Sequence, residues 1–299
     1  MTQSRRRETK KGRKRSGATG SRDPRKQRTR SPKTSLKPLL SLFHEIAVTA
    51  ERTLLTTPHA EDPVVRFDVE ILMRGANSVK AVRALLEKGF WEHAVGIVRQ
   101  LFELLVNMEY LAKQESREGA TLLFSRYGML QMILAQLRRM TYEEEKGRPV
   151  DTQLRAELES LLQSDFTDFR AKSKEGPVKW VSSWCRRTTF ELAEASPDPM
   201  RTHHYNILYR VWSEEAHAAP GALIVNMFRQ SEEGWLEQAV AENEKHSRDA
   251  GAFTVMFFLA LWLTLPNVDR PIEQIHSWLQ QLSSMHGGPV LPPPPLGLG

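Results

Sequence analysis

From Leu39 onward, apolar residues recur three and four positions apart, the spacing that places side chains on one face of an α-helix. The first such stripe holds Leu39, Leu42, Phe43 and Ile46. Runs of alternating apolar and polar residues between hairpin turns, which are typical of β-strands, are not found. We therefore predict an all-α fold, an irregular bundle of many helices.

Breakers and capping residues divide this pattern into elements. Asp62 followed by Pro63 is a capping side chain with proline at the first helical position, and Gly89 suits the left-handed turn that ends a helix. The stripe from Trp91 to Gln114 is apolar over a wide arc, which predicts a central helix. We expect helices over residues 39–57, 63–88, 91–114, 116–139, 151–172, 203–218, 222–229, 232–265 and 271–284.

Charge and composition set the two ends of the chain apart from its middle. Residues 1–35 hold 14 Lys and Arg against two acidic residues, a net charge of +12, whereas the rest carries 28 basic and 34 acidic residues, a net of −6. The first 35 residues have too few apolar side chains to offset the entropy of folding. We predict a disordered basic tail over 1–35, a single helical domain over 36–285 and a disordered Pro/Gly-rich tail over 286–299.

The basic tail has several possible partners. Dense Lys and Arg displace counterions from nucleic-acid phosphates without reading bases, and they also attach to anionic membranes or acidic proteins. A purely solubilising extension is the alternative. Nucleic acid is the partner that we predict for this tail.

Other features bear on the compartment. The single cysteine, Cys185, excludes an internal disulfide framework, and no apolar stretch of a signal peptide follows the charged start. Between Ala250 and Val268 the dense apolar part runs only from Phe253 to Leu265, which is typical of a buried helix. We predict a cytoplasmic protein without a membrane span.

Polar residues where periodicity predicts burial are the candidates for function. Arg99 and Glu103 are one turn apart on the central helix, where charged groups need partners because removing them from water costs several kcal/mol. Tyr209, Ser213 and His217 are spaced four residues apart, which puts them on one face of a second helix. Two interpretations remain open: a structural cluster that sets helix register, or a site formed by both helices.

Arg210, on the same predicted helix, adds possible chemistry. Arg210 precedes His217 by seven residues, two turns of helix. Histidine changes protonation near neutral pH, and arginine holds a phosphate with two hydrogen bonds. The pair suits acid–base cleavage of a phosphodiester. The structural alternative is a helix end with a hydrogen-bonded histidine and tyrosine.

A family resemblance rests on two stretches, AVRALLEKGFWEHAVGIVRQLFELLVNMEYL and, later in the chain, YRVWSEEAH. They resemble the bacterial domain-of-unknown-function family 5677, which has a helix pair with Gly at the turn, an R-x-x-x-E helix and a Y-x-x-x-S-x-x-x-H helix. The resemblance covers residues 72–265, and the family has no agreed reaction. The matching positions are Gly89, Arg99, Glu103, Tyr209, Ser213 and His217.

A more remote resemblance is to the HEPN helical superfamily, whose nucleases carry Arg and His four to six residues apart on a helix and cleave RNA without a metal ion. Arg210 and His217, with six residues between them, fit this spacing, although Val211 stands where a polar residue is usual. The resemblance implies that His217 is the general base, that Arg210 stabilises the transition state, and that a homodimer joins two such helices. Two other pairs share the spacing: Arg52 with His59, and Arg270 with His276.

A metal site is the other enzymatic possibility, because Glu214 with His217 and Glu273 with His276 have the carboxylate–histidine spacing of di-iron bundles. Since Glu273 lies off the apolar stripe of its helix, we expect surface charge here and predict no metal and no cofactor. Two functions stay open. One is an RNA-binding protein or metal-independent, HEPN-like ribonuclease of bacterial stress or phage defence; the other is a non-catalytic protein-interaction module.

Overall fold

Helices account for nearly all regular structure in the described part of the chain. The computed structural model describes residues 36–57, 61–171, 179–213, 224, 227–228, 230 and 233–286. Within these ranges the β-structure is a single isolated bridge between Arg170 and Trp180. The predicted all-α fold is confirmed. The predicted helix over 222–229 and both predicted tails lie wholly or mainly outside the described residues.

The helices follow one another with short connections. Asp62 caps α2 by accepting a hydrogen bond from the Val64 amide at 2.7 Å, and Gly89 ends this helix with φ of 78°. Both signals were predicted from the sequence. The elements are α1 (Lys37–Thr56), α2 (Pro63–Glu87), α3 (Trp91–Ala112), α4 (Arg117–Glu145), α5 (Thr152–Ser164), a 3-10 turn (Thr167–Phe169), α6 (Thr189–Glu194), α7 (Arg201–Asn206), a π-helix (Ile207–Val211), α8 (Trp235–Leu263) and α9 (Ile272–Met285).

Two predicted helix ends were wrong. Helix α4 continues past Arg139 to Glu145, because its last residues are good helix formers and the first breaker is Gly147, with φ of 68°. Helix α5 ends at Ser164 instead of residue 172, because the chain turns there to bury Phe166 and Phe169 against Leu130 of α4. Local residues therefore set the end of α4, whereas tertiary packing sets the end of α5.

Helix α3 lies at the centre of the main core, as its wide apolar arc predicts. It packs most extensively against α8 and α2, and α1 packs mainly against α2. The largest fully buried side chains of this core include Phe43, Phe102, Phe257, Phe258 and Trp262.

Helix α8 differs along its length. Trp235, Leu236 and Val240 near its start are exposed, whereas the residues from Val255 to Trp262 are mostly buried in the core. No described helix is long and apolar enough to cross a lipid bilayer.

Helix α8 approaches α2 closely at Gly75. A Cβ atom at this position would lie 2.9 Å from the ring of Phe258, closer than such atoms pack. Because glycine has no Cβ atom, the ring of Phe258 can pack directly against the backbone of α2 at this position.

A buried carboxylate ties three parts of the fold together. Asp68 of α2 is fully buried and accepts hydrogen bonds from Arg117 of α4 at 2.5 Å and from the side chain of Asn267, after α8, at 2.8 Å. This anchors the first turn of α4 to the main core. Helices α4 and α5 then form a hairpin with a second, smaller core.

Candidate functional site

Arg99 and Glu103 lie one turn apart on α3, at the edge of the main core, and both side chains are half-buried. Their neighbours Val98 and Phe102 are fully buried. The two polar side chains therefore leave α3 towards the segment that contains Tyr209.

That segment changes its winding just before Tyr209. Helix α7 begins at Arg201, two residues earlier than predicted, and Ile207–Val211 forms a π-helix. A π-helix bonds residue i to residue i+5, so its turn is wider than the α-helical turn. The predicted face of Tyr209, Ser213 and His217 assumed α-helical spacing throughout. Single π turns occur frequently at functional sites.

Tyr209 joins the π-helix to α3. Its hydroxyl donates a hydrogen bond to Oε1 of Glu103. The guanidinium of Arg99 lies over the ring, 4.3 Å from its centroid, a cation–π contact that contributes about 0.5–2 kcal/mol. Tyr205 stacks on the same ring at 4.5 Å between centroids. The structure thus brings Arg99, Glu103 and Tyr209 into one cluster, which we call the tyrosine cluster.

The environment keeps Tyr209 protonated. Burial raises the pKa of its hydroxyl well above the usual value of 10.0, and the hydrogen bond to Glu103 acts in the same direction, while Arg99 opposes them. At neutral pH this hydroxyl is a hydrogen-bond donor and has no role as a base. The chemistry open to the tyrosine cluster is therefore positioning.

The remaining predicted site residues are Arg210, Ser213 and His217. Arg210 is exposed, and within the described ranges no ion pair or hydrogen bond joins it to another residue. The side chain of Ser213 is half-buried. His217 and its neighbour Glu214 lie outside the described residues. The pairing of Arg210 with His217 therefore stays a prediction.

A second polar cluster on α3 was missed by the sequence reasoning. Glu109 and Arg201 are both buried and form an ion pair in which Nη2 of Arg201 is 2.8 Å and Nε is 3.0 Å from Oε1 of Glu109. Ser196 donates to Oε2 at 2.7 Å, and Asp198 is 3.0 Å from Nη1 of Arg201. This group, the arginine cluster, fixes α7 to α3.

A signal for the arginine cluster exists in the sequence. Glu109 follows Glu103 by six residues on the same apolar helix, so the argument that singled out Glu103 applies to it as well. Arg201 gave no such signal, because the predicted helix began at His203 and left Arg201 outside it.

The adjacent residues His203 and His204 lie in different environments. His203 is exposed, whereas His204 is buried between Phe253 and Phe257. Burial, followed by the neighbouring Arg201 charge, lowers the pKa of His204 to about 4. His204 is consequently neutral over the physiological range.

Residues suited to a metal do not converge in the part of the chain described. No group of three or more His, Cys, Asp or Glu side chains there is placed to hold an ion. On α9, Glu273 is exposed and His276 half-buried. Two shallow depressions of about 430 and 330 Å³ lie along α4 and do not include the tyrosine cluster.

The fold and the cluster define an all-α protein in which a π-helix is held on a central helix by a tyrosine–glutamate contact. The chain belongs to the family of unknown function DUF5677, whose model matches residues 69–234, more than half of the chain. The match includes both α3 and the π-helix. It ends before α8, which the predicted range of 72–265 had included. No curated protein and no solved structure matches the chain.

Proposed function

We propose that this protein binds RNA and cleaves it without a metal ion, with Arg210 as the phosphate-binding group and His217 as the acid–base group. The observation that carries the proposal is the contrast within the π-helix. Tyr209 is fixed to α3 by Glu103 and Arg99, while the next residue, Arg210, is exposed and engages no described partner. A guanidinium on a firmly held backbone is suited to bidentate phosphate contact.

The proposed reaction needs only these two side chains and the RNA. His217 removes the proton from a ribose 2′-hydroxyl, and the 2′-oxygen attacks the adjacent phosphorus. The bond from phosphorus to the 5′-oxygen breaks, and this oxygen leaves with the proton that the imidazolium returns. Arg210 offsets the charge that develops on the phosphate oxygens. The products are a 2′,3′-cyclic phosphate and a 5′-hydroxyl.

Three of the remaining candidate residues hold the backbone of the π-helix in place and do not take part in the reaction itself. Tyr209, Glu103 and Arg99 position the π-helix, and Ser213, half-buried just beyond it, lies between the two proposed reacting residues in the chain. The basic tail, with a net charge of +12, tethers the RNA through its phosphates. Following the HEPN resemblance, we assign this activity to stress or phage defence in the bacterial cytoplasm.

A non-catalytic interaction module is the second candidate. It is favoured by the completeness of the tyrosine cluster, in which Glu103 accepts a hydrogen bond and the Tyr209 ring is stacked on Tyr205. In this case the cluster serves only to set the register of the π-helix on α3.

The test is incubation of the purified full chain with a mixed RNA pool in EDTA. We expect the wild type to produce 2′,3′-cyclic ends and the His217→Ala and Arg210→Ala variants to lose cleavage. His276→Ala is the matched control, because His276 follows Arg270 at nearly the same spacing and should be dispensable.

Two results would overturn the ribonuclease proposal. The absence of cleavage by the wild type would favour the interaction module, and capture of partner proteins would be the next step. Equal cleavage by all variants would place the activity elsewhere or in a contaminant.

A further inference from the structure

Two neighbouring arginines, Arg186 and Arg187, lie on the chain segment that leads into α6, and both side chains are exposed. The carboxylates near them have other partners. Asp168 binds Arg126 with both of its oxygens, at 2.8 and 3.1 Å, and Glu191 forms the capping box of α6. In the part of the chain that the structure describes, neither Arg186 nor Arg187 forms an ion pair.

Hydrogen bonds fix both guanidinium groups in place. Nη2 of Arg186 donates to the backbone carbonyl of Asp168 at 2.7 Å. Nε of Arg187 donates to the hydroxyl of Tyr110 at 3.2 Å, and the guanidinium lies 5.2 Å from the centroid of that ring. Each contact engages one nitrogen of its guanidinium. The other two nitrogens of each group bond to no described residue and keep their N–H donors for an anion.

The backbone at Arg186 is strained. Its φ is 61°, and among the described residues it is the one non-glycine residue with a positive φ. A Cβ atom crowds the following carbonyl oxygen in this conformation, so the backbone alone favours glycine at position 186. Strain of this kind persists where the surrounding contacts enforce it, and it is frequent at ligand-binding sites. What arginine adds at this position is its guanidinium.

The two arginines lie along the same side of α3 as the tyrosine cluster. Tyr110, the partner of Arg187, follows Glu103 by seven residues on α3. Seven residues are two helical turns, so both side chains leave α3 on the same side, about 10 Å apart along its axis. Glu103 in turn holds Tyr209, the residue before Arg210. A strand bound at Arg210 can therefore continue along α3 to Arg187.

We propose that Arg186 and Arg187 form a second phosphate-binding site for single-stranded RNA, which holds the strand beside the segment of Arg210. The inference rests on the RNA binding proposed above and not on cleavage. Two fixed, adjacent guanidiniums suit backbone phosphates and read no base. No large apolar side chain within residues 179–190 is exposed, whereas attachment to a membrane surface buries apolar side chains. RNA therefore fits this site better than a lipid surface.

Binding of a fluorescein-labelled oligouridine to the full chain at several salt concentrations tests the site. In the double variant Arg186→Ala/Arg187→Ala, the slope of log affinity against log salt should become shallower by about 1.4, at about 0.7 per phosphate contact on a single strand. Arg138→Ala/Arg139→Ala is the matched control, because these adjacent arginines are also exposed but lie on α4. Circular dichroism establishes that both variants are folded. An unchanged slope in the first variant, or equal changes in both, overturns the proposal.

A glycine substitution separates phosphate binding from loop stability. Arg186→Gly removes the guanidinium and relieves the backbone strain, since glycine adopts a positive φ readily. We expect the Tm to be unchanged or higher, with a salt slope shallower by about 0.7. A lower Tm together with unchanged RNA binding would make Arg186 a structural residue and remove it from the site.

Binding and cleavage are measured separately, so the two proposals fail separately. RNA binding with the expected change of slope but without cyclic phosphate ends contradicts the ribonuclease alone. Cleavage by the wild type together with unchanged binding by Arg186→Ala/Arg187→Ala contradicts the second phosphate site alone. Phosphatidylglycerol vesicles present the other source of phosphate. If the double variant loses vesicle binding and keeps RNA binding, the ligand is a lipid headgroup and the RNA assignment is wrong.

Discussion

The two polar clusters on α3 are made of similar residues but differ in burial. Glu109 and Arg201 are buried and hydrogen-bonded on several sides, whereas Glu103, Arg99 and Tyr209 are half-buried and adjoin the exposed Arg210. Only about 9 Å of helix axis separates the two glutamates. A polar residue on an apolar helix therefore does not by itself indicate a functional site. The arginine cluster fixes α7 to α3, whereas the tyrosine cluster adjoins Arg210, which is exposed and bonds to no residue in the described part of the chain.

The largest effect is expected from breaking the arginine cluster. Arg201→Ala leaves Glu109 as a buried, uncompensated charge and should lower the free energy of unfolding by about 3–5 kcal/mol, measured by urea denaturation. Replacing both partners, as Glu109→Gln with Arg201→Met, should recover much of this loss. A loss below about 1 kcal/mol in Arg201→Ala would show that the ion pair is not a structural anchor.

The next effect is a pH dependence beside that cluster. His204 has a pKa of about 4 in the folded protein against 6.5 when unfolded, so the unfolded chain binds the extra proton between these values. Stability should therefore fall as the pH decreases from about 6.5 to about 4, by up to ~3 kcal/mol at 1.36 kcal/mol per pKa unit. His204→Gln should reduce this slope in pH-dependent denaturation. The exposed neighbour supplies the control, because His203→Gln should leave the slope unchanged.

A smaller effect is expected in the tyrosine cluster. Tyr209→Phe removes the hydroxyl that Glu103 accepts from but keeps the ring on which Arg99 and Tyr205 stack. Because Glu103 is half-buried and water can partly replace the hydroxyl, unfolding should become easier by about 1–2 kcal/mol in thermal or urea melts. Tyr205→Phe serves as the control and should change stability little. Equal losses in both variants would contradict a specific role for the Tyr209 hydroxyl.

The smallest effect on stability is expected at Arg210. Arg210→Ala should change the free energy of unfolding by no more than about 0.5 kcal/mol, because the side chain is exposed and bonds to no described residue. The same change should weaken RNA binding in a filter or anisotropy assay and reduce its dependence on salt. A loss of more than about 1 kcal/mol would make Arg210 structural and remove the contrast between the clusters.

The ends of a helix were predicted correctly where a capping residue marks them in the sequence. Asp62 with Pro63 and Gly89 act within a few residues, so the ends of α2 are readable from the chain itself. The predicted end of α4 fell short of Glu145 although Gly147 provides the same local signal two residues further on, and the predicted end of α5 was wrong because tertiary burial of Phe166 and Phe169 sets it. A helix end is predictable when its cause lies beside it.

The candidate site was predictable in part for the same reason. Periodicity places Arg99 and Glu103 on α3 beside buried residues, and the structure brings Tyr209 to them. The sequence analysis assumed α-helical winding here, so the π-helix and its effect on the spacing of Tyr209 and Ser213 were not foreseen. Glu109, the buried partner of Arg201, lies 92 residues away, and no local pattern records this pair.

The close approach at Gly75 gives this position an influence on a distant part of the molecule. Phe258, which the absent side chain accommodates, follows Phe257 on α8, and Phe257 contacts Phe102 and His204. A side chain at position 75 would displace the ring of Phe258, and the contacts of the adjacent Phe257 link this part of α8 to His204 on the helix before Tyr209. The close packing of α2 against α8 thus bears on the geometry of the segment that carries Arg210. It depends on the absence of a single Cβ atom at position 75.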